Sequence, residues 1–355
     1  MKFRLAFLII FLFTVSTTFA QSLFSIKGTV KSEQDEPLES ATVFLNGSTQ
    51  ITKTNTKGEF SFAGLSPGSY EVVVRMVGYA STKEDAIIST KSIAKAFVLV
   101  QKNIQLQEVV IGKGTQRLKH LATFFNSFIG VTKNAAFCKI LNPEVIEFST
   151  NGSTLQAYSD QFIIVENKSL GYKISYLLRD FSYDKQADVT NYDGECIFEN
   201  LKGTASQQKS WNKNRLNAYK GSLMHYLRSL YKGNTVSEAF LTYETEETNP
   251  TAKSTILDVR EFVAKPDKNF AQFKVYKQLK IIYAIKAYDR SLNFIDADPF
   301  KLVAMPTSYL KLYVPEVLID KKGSYQNYKS FRLEGIWGIN RLGDQLPFEY
   351  TPDKK

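Results

Sequence analysis

Residues 24 to 100 are interrupted by turn signals so often that no helix of ordinary length fits between them. The clearest are Asn46-Gly47, Lys57-Gly58, Pro67-Gly68 and Gly78-Tyr79. Between the turns apolar and polar residues alternate, as in Phe24 to Val30, which is the pattern of a strand with one buried face. About seven short strands, separated by turns every 8–12 residues or so, predict an all-β sandwich.

Short motifs within this stretch follow one another in a specific order and spacing. They are Gly28-Thr29-Val30, Ala41-Thr42-Val43, Thr54 to Phe60, Leu65 to Tyr70 and Gly78-Tyr79. Together they resemble the carboxypeptidase-regulatory-like domain, a transthyretin-like β-sandwich. The resemblance, which we place at residues 22–111, implies an exported protein of Bacteroidota-type bacteria. It implies no activity, because this sandwich accompanies some metallocarboxypeptidases without being their catalytic part.

Residues 1–20 have the layout of a secretory signal peptide. Lys2 and Arg4 form a basic start, and Leu5 to Phe13 is an unbroken apolar run. Thr18-Phe19-Ala20 then places small residues at the two positions that a signal peptidase reads. The run is shorter than the roughly 20 residues that span a bilayer, so we expect cleavage, with an uncleaved anchor as the alternative. The expected location is the periplasm or the outer membrane, with secretion as a further option.

The formal net charge of +10 bears on the choice of partner. Basic residues are scattered along the chain and form no long run, so a solvated surface explains most of them. In an exported protein, anionic lipid headgroups or acidic glycans are better candidates than nucleic acid as partners of the other basic residues. We therefore expect no nucleic-acid partner and leave peripheral membrane association open. Nothing in the sequence indicates the oligomeric state.

The sequence contains two cysteines, Cys138 and Cys196. An oxidising compartment would allow them to form a disulfide. The alternative is two buried free thiols, because spacing along the chain does not bring two Cα atoms within bonding distance.

Residues 112–355 mix helical and strand patterns and predict an α+β domain of unknown function. Leu118, Leu121, Phe124 and Phe128 recur at helical spacing before Gly130. A second helix is predicted over residues 210–232, where one apolar stripe follows the 3.6-residue period. Strand patterns precede this second helix and follow it.

The sequence does not present the motifs of a zinc peptidase or a serine hydrolase in the setting that catalysis requires. A zinc peptidase needs a His-x-x-Glu pair and a distant His, yet neither His120 nor His225 is followed by Glu three residues later. One Gly-x-Ser-x-Gly pentapeptide occurs, Gly64-Leu65-Ser66-Pro67-Gly68, but it lies in a loop between two predicted strands and not at the strand-to-helix turn of a serine hydrolase. The other approach to such a site is Gly221-Ser222 with His225. We therefore expect neither a catalytic site nor a cofactor or metal.

The candidate binding surface is built from one helix and the two tryptophans. His225 and Arg228 lie on the polar side of the predicted helix, and Trp211 and Trp337 offer rings that could stack on sugars. Together with the sandwich, these residues favour an exported, non-catalytic binding or structural protein of the cell envelope that contacts a partner protein or a glycan. The alternative is an envelope or glycan hydrolase, with a carboxylate pair that the sequence does not identify.

Overall fold

The computed structural model describes residues 23–102, 114–245, 256–284, 305–325 and 328–352. The predicted signal peptide at residues 1–20 lies outside them, as do residues 103–111 at the end of the predicted sandwich. Within the described ranges, no helix combines the length and the apolar character needed to cross a membrane.

The N-terminal part is a sandwich of seven strands. They are β1 (Phe24–Ser32), β2 (Thr42–Leu45), β3 (Ile51–Lys53), β4 (Glu59–Leu65), β5 (Gly68–Arg75), β6 (Thr82–Ile88) and β7 (Ile93–Leu99). The sheets have the orders β4-β1-β7 and β3-β2-β5-β6. Every second side chain points inward, and residues such as Ile26, Val72 and Phe97 form the core between the sheets. The predicted all-β sandwich is confirmed.

The two sheets of the sandwich differ in what covers their outer faces. Strand β5 contains Val72, Val73 and Val74, and all three are fully buried. Val72 and Val74 face the sandwich core, whereas Val73 packs with Phe44 against Ile197 in the second part of the chain. A continuous apolar run is expected of a strand that is covered on both faces. The β2–β5 pair of the four-stranded sheet is therefore covered on both faces, by the sandwich core and by the second part of the chain.

The second part begins with helix α1 (Thr115–Phe128), which packs on a six-stranded antiparallel sheet through Phe124 and Phe128. The strands are β8 (Cys138–Ile140), β9 (Glu147–Asn151), β10 (Thr154–Tyr158), β11 (Phe162–Asn167), β12 (Tyr172–Asp184) and β13 (Val189–Asn200). The long strand β12 pairs with β11 along its first half and with β10 near its end, and β13 pairs with its other edge.

The single helix predicted over residues 210–232 is wrong, because the chain forms two helices there. They are α2 (Ala205–Tyr219) and α3 (Leu223–Lys232). Gly221 adopts φ +75°, which ends the helical path, and the Ser222 hydroxyl then accepts the N–H of His225 as the N-cap of α3. The apolar stripe continues across the break and so conceals it in the sequence.

The described residues that follow α3 form two further antiparallel sheets around it. Their strands are β14 (Phe240–Thr245), β15 (Val263–Ala264), β16 (Phe270–Phe273), β17 (Gln278–Tyr283), β18 (Thr307–Leu312), β19 (Val317–Asp320) and β20 (Phe331–Gly335), followed by the short helix α4 (Ile336–Ile339). The sheet orders are β14-β17-β18-β20 and β15-β16-β19. A β-sandwich followed by an α+β region is therefore the observed fold class, as predicted.

Candidate functional site

The sandwich is joined to the rest of the chain along a contact that we call the seam. On the sandwich side it comprises Phe44, Asn46–Ser48, Ser69–Glu71, Val73 and Lys83. On the other side it comprises Phe162, Arg179, Glu195–Phe198, Asp320–Ser324 and Phe348. Buried hydrogen bonds and ion pairs join the two parts here, so the seam is where a functional arrangement could arise.

Main-chain hydrogen bonds cross the seam. The N–H of Gly47 donates to the Cys196 carbonyl and the N–H of Phe198 donates to the Ser48 carbonyl, both at 2.8 Å. The turn after β2 thus forms a short parallel bridge with β13. Gly47 has φ +67°, and a Cβ there would lie 2.6 Å from the ring of Phe348. The close approach of the two parts therefore requires glycine at this position.

A buried charge network lies beside these hydrogen bonds. The fully buried carboxylate of Glu195 accepts from Arg179 Nε at 2.6 and 2.8 Å and lies 2.9 Å from Lys83 Nζ. Lys83 Nζ also lies 3.0 Å from Glu71 of the sandwich, which accepts a hydrogen bond of 2.7 Å from Asn46. Two carboxylates from opposite sides of the seam thus share one ammonium group.

Burial and pairing compete in this network. Burial raises the pKa of Glu71, and contacts with Lys83 offset only part of that effect. Burial also acts to lower the pKa of Lys83, but hydrogen bonds and attraction to Glu195 and Glu71 outweigh it and leave the pKa raised. Lys83 therefore stays a cation at neutral pH and holds the two carboxylates together.

A second polar contact closes the other end of the seam. Asp320, fully buried at the end of β19, accepts the N–H groups of Ser69, Lys322 and Ser324 at 2.8–3.1 Å. Burial raises its pKa in spite of these donors and of nearby Lys322. The ammonium of Lys322 lies 3.5 Å from the ring centroid of Tyr70, a cation–π contact with the sandwich.

A small cavity of about 70 Å³ lies within the seam. Its lining residues are Asn46, Ser69, Tyr70, Glu71, Asp85, Ser324, Tyr325 and Phe348. Glu71 and Asp85 face each other across the β5–β6 pair. The volume suits a few water molecules, whereas pockets for small organic ligands are roughly 300–1,000 Å³.

The structure places both tryptophans inside the protein. Trp211 and Trp337 are each only 6% exposed. The indole N–H of Trp211 donates to the Lys168 carbonyl at 2.9 Å, and that of Trp337 donates to the Gly221 carbonyl at 2.7 Å. Their polar atoms and their ring surfaces are therefore used in packing, which corrects the expectation that they form an exposed surface.

His225 and Arg228 are buried as well, and α3 uses both for internal contacts. His225 Nδ1 accepts the N–H of Gly221 at 3.2 Å, so the ring proton lies on Nε2 and faces Glu238 at 3.1 Å. Arg228 donates to the main-chain carbonyls of Lys322 and Phe348 at 2.8 and 3.1 Å. Neither side chain belongs to an open binding surface.

Three of the four predicted residues lie in one region and the fourth lies apart. His225 and Trp337 both bond to Gly221, and Arg228 follows one turn later on α3. Trp211 instead belongs to α2, and its ring packs against Gly171 and Gly203. The Ser222 hydroxyl, considered above as a neighbour of His225, accepts the main-chain N–H of His225 and so caps α3.

Cys138 and Cys196 are both free thiols. They lie on β8 and β13, which are separated by β11 and β12. Three strand spacings place the Cα atoms at least about 14 Å apart, whereas a disulfide needs less than roughly 7 Å. The pairing considered above is therefore wrong, and burial raises the pKa of each thiol to about 12.

The seam residues Asn46, Glu71, Lys83, Glu195 and Asp320 were not predicted from the sequence. One signal was present: Glu71 interrupts the apolar run of β5, where a charge needs a partner. Its partners come from distant segments, which the pattern does not identify. Among the described residues, no cluster of three or more His, Cys, Asp or Glu side chains could hold a metal ion.

Residues 26–111 match the family model of the CarboxypepD_reg-like domain. This is the segment whose motifs resembled that family, and its described part is the observed sandwich. The CarboxypepD_reg-like domain covers about a quarter of the chain, and the match does not extend into the α+β part. The N-terminal assignment is thereby confirmed.

Some solved structures are similar to a part of this chain, whereas no curated protein matches it. A streptococcal ancillary pilin is 15% identical with a TM-score of 0.21, over 23% of this chain and 33% of that chain. The minor pilin of Streptococcus agalactiae is 15% identical with a TM-score of 0.20, over 23% of this chain and 46% of that chain. The Klebsiella pneumoniae 5-hydroxyisourate hydrolase is 16% identical with a TM-score of 0.20, over 22% of this chain and 92% of that chain.

Proposed function

We propose that the protein is an exported, non-catalytic binding or structural protein of the bacterial cell envelope, which contacts a partner protein or a glycan. The observation that carries the proposal is the unequal use of the two sheets of the sandwich. The four-stranded sheet is fixed by the seam, so it holds the sandwich in place. Among the residues that the structure describes, outward side chains of the three-stranded sheet such as Lys27, Ala94 and Val98 are exposed, so this face can serve as a rigid binding surface.

The edge strand β7 contributes exposed side chains to this binding surface. It pairs in parallel with β1, and it directs Ala94, Ala96 and Val98 away from the core. Val98 is 57% exposed, although it lies in a strand whose neighbouring residues Phe97 and Leu99 are buried. A flat edge strand with small outward side chains can accept a strand from a partner, and main-chain hydrogen bonds then supply much of the affinity.

The alternative, a hydrolase with two carboxylates, would use Glu71 and Asp85. These are the two carboxylates that line the cavity, and they face each other across a strand pair. However, Glu71 is already occupied by Lys83 and Asn46, and the cavity of about 70 Å³ is smaller than a sugar ring requires. The geometry therefore favours the binding role.

Capture experiments with β7 variants test the proposal. The exported chain would be immobilised and exposed to envelope fractions of the source cells, and the bound material would be compared between wild type, Val98→Glu and Val77→Glu. Val77 is 85% exposed and lies outside the strands, so its variant is the matched control. We expect Val98→Glu to lose a partner that wild type and Val77→Glu retain.

Two outcomes would contradict the binding role. One is a folded wild-type chain that retains nothing, or that retains the same material when Val98 is replaced. The other is turnover of an envelope polymer that is abolished by Glu71→Gln in a folded chain. Circular dichroism on each variant would show that the fold is intact before either result is interpreted.

A further inference from the structure

Two neighbouring connections carry exposed tyrosines in the α+β part. Residues 274–277 join β16 to β17, and residues 313–316 join β18 to β19, so both connections cross between the two sheets. Phe273 pairs with Val317 in one sheet and Leu279 pairs with Leu310 in the other. The connections therefore run side by side at the same end of both sheets.

Tyr276 and Tyr313 occupy corresponding positions on these connections. If the β17–β18 register is continued past the last pair, Tyr276 lies opposite Tyr313. An ion pair of 2.8 Å between Lys274 and Glu316 links the same two connections. We call the two side chains the tyrosine platform.

The platform is exposed, yet the backbone beneath it is held in place. Tyr276 is 88% and Tyr313 61% exposed, more than any other aromatic side chain in the described ranges. The N–H of Lys274 donates to the Phe262 carbonyl and that of Tyr313 to the Ser330 carbonyl, both at 2.9 Å. A ring on a fixed backbone loses little conformational entropy when a ligand covers it, so its apolar surface is available for binding.

Charged side chains on the two connections form ion pairs with each other and with a neighbouring strand. Glu316 contacts Lys274 and accepts a hydrogen bond of 2.6 Å from Gln272, and Lys277 lies 3.0 Å from Glu244. These side chains can still donate and accept further hydrogen bonds, but they offer no uncompensated charge to an ionic ligand. Such a rim suits a ligand with many hydroxyl groups and no net charge.

We propose that the tyrosine platform binds a neutral oligosaccharide. The C–H face of a pyranose ring would stack on the phenol rings, and the sugar hydroxyls would bond to the polar rim. A protein partner fits less well, because protein hot spots lie in desolvated, closely packed apolar surroundings rather than on a connection flanked by ion pairs. The inference rests on the proposed binding function and names its ligand class.

The test is calorimetric titration of the exported chain with soluble oligosaccharides of glucan, xylan and mannan. The variants are the double substitution Y276A/Y313A, the conservative Y276F/Y313F, and Phe137→Ala as a control. Phe137 is 57% exposed and precedes β8, in a different part of the protein. We expect saturable binding of one sugar class, a Kd at least about tenfold higher in Y276A/Y313A, and a change below about twofold in the other variants.

The opposite results would overturn the inference. They are the absence of saturable binding at millimolar sugar, a Kd unchanged by Y276A/Y313A, or a preference for anionic sugars that disappears with added salt. Capture of a protein through the tyrosines would overturn it as well. A chain that binds no sugar but still captures a partner through β7 would leave the proposed function standing, so the two failures are distinguishable.

Discussion

The seam can be tested by removing its central carboxylate. In Glu195→Ala, Arg179 and Lys83 lose the group that both of them contact, while the surrounding main chain is unchanged. Breaking a buried ion pair by removing one partner is costly, because it leaves charges without compensation in a poorly solvated place. Unfolding experiments should therefore show a large loss of stability from this one substitution.

The size of the loss follows from the exposure of the groups involved. Removing one partner of a fully buried pair costs roughly 3–5 kcal/mol. The side chain of Glu195 is fully buried, but those of Lys83 and Arg179 are 28% and 27% exposed. Water can partly solvate these cations after the substitution, and Lys83 keeps its contact with Glu71. We therefore expect a decrease of about 2–4 kcal/mol in the free energy of unfolding.

Urea unfolding followed by circular dichroism would measure the decrease. The matched control is Glu199→Ala, four residues further along the same strand. Glu199 pairs with Lys173 at 3.0 Å but is 69% exposed, so its removal should change the free energy by less than about 1 kcal/mol. If Glu195→Ala and Glu199→Ala proved equally mild, the idea that buried charges hold the sandwich against the α+β part would be refuted.

Two further predictions concern the seam and the thiols. Gly68→Ala should destabilise the protein by about 1–3 kcal/mol, because the new Cβ would lie 2.4 Å from Asp320 Oδ2. Urea unfolding would measure the loss of stability, and an unchanged unfolding midpoint would contradict the prediction. Burial raises the pKa values of Cys138 and Cys196 to about 12, so both thiols should react with a thiol reagent at pH 8 only after unfolding. Mass spectrometry would follow the reaction. Fast labelling of the native chain, or a disulfide between the two residues, would contradict the structure.

The sequence predicted the features that depend on local pattern. Alternation and turn residues identified the sandwich, because a strand with one buried face leaves a period of two. The three consecutive valines of β5 also indicate a strand that is covered on both faces, but this was not predicted from the sequence. The continuous stripe across residues 210–232 was misleading, because the break at Gly221 preserves the apolar spacing of the two helices.

The features that were missed depend on contacts between distant segments. Lys83 and Glu195, or Ser69 and Asp320, are more than a hundred residues apart, and no local pattern pairs them. Trp211 and Trp337 were predicted to form an exposed surface because aromatic rings can stack on sugars. Their indole N–H groups donate to the main-chain carbonyls of Lys168 and Gly221. The burial of the two rings therefore depends on tertiary contacts that the local sequence does not show.

The buried imidazole of His225 predicts how stability depends on pH. Burial lowers its pKa below the ordinary value near 6.5, and attraction to Glu238 offsets only part of that, while Lys232 and Arg228 lower it further. The unfolded chain therefore binds a proton at a higher pH than the folded chain does. As the pH falls below about 6.5, this difference favours the unfolded state and stability is lost.

Carboxylates of the seam act in the opposite direction, so a comparison of two proteins is needed. Burial raises the pKa values of Glu71 and Asp320 in the folded chain, and this favours the folded state as the pH falls. His225→Asn removes the titrating ring but keeps an oxygen that can accept the N–H of Gly221. Urea unfolding of both proteins between pH 7.5 and 5 should show that the stability of the wild type relative to the variant decreases as the pH falls. A constant difference would mean that His225 does not change its protonation on unfolding in this range, and the burial argument for its pKa would be wrong.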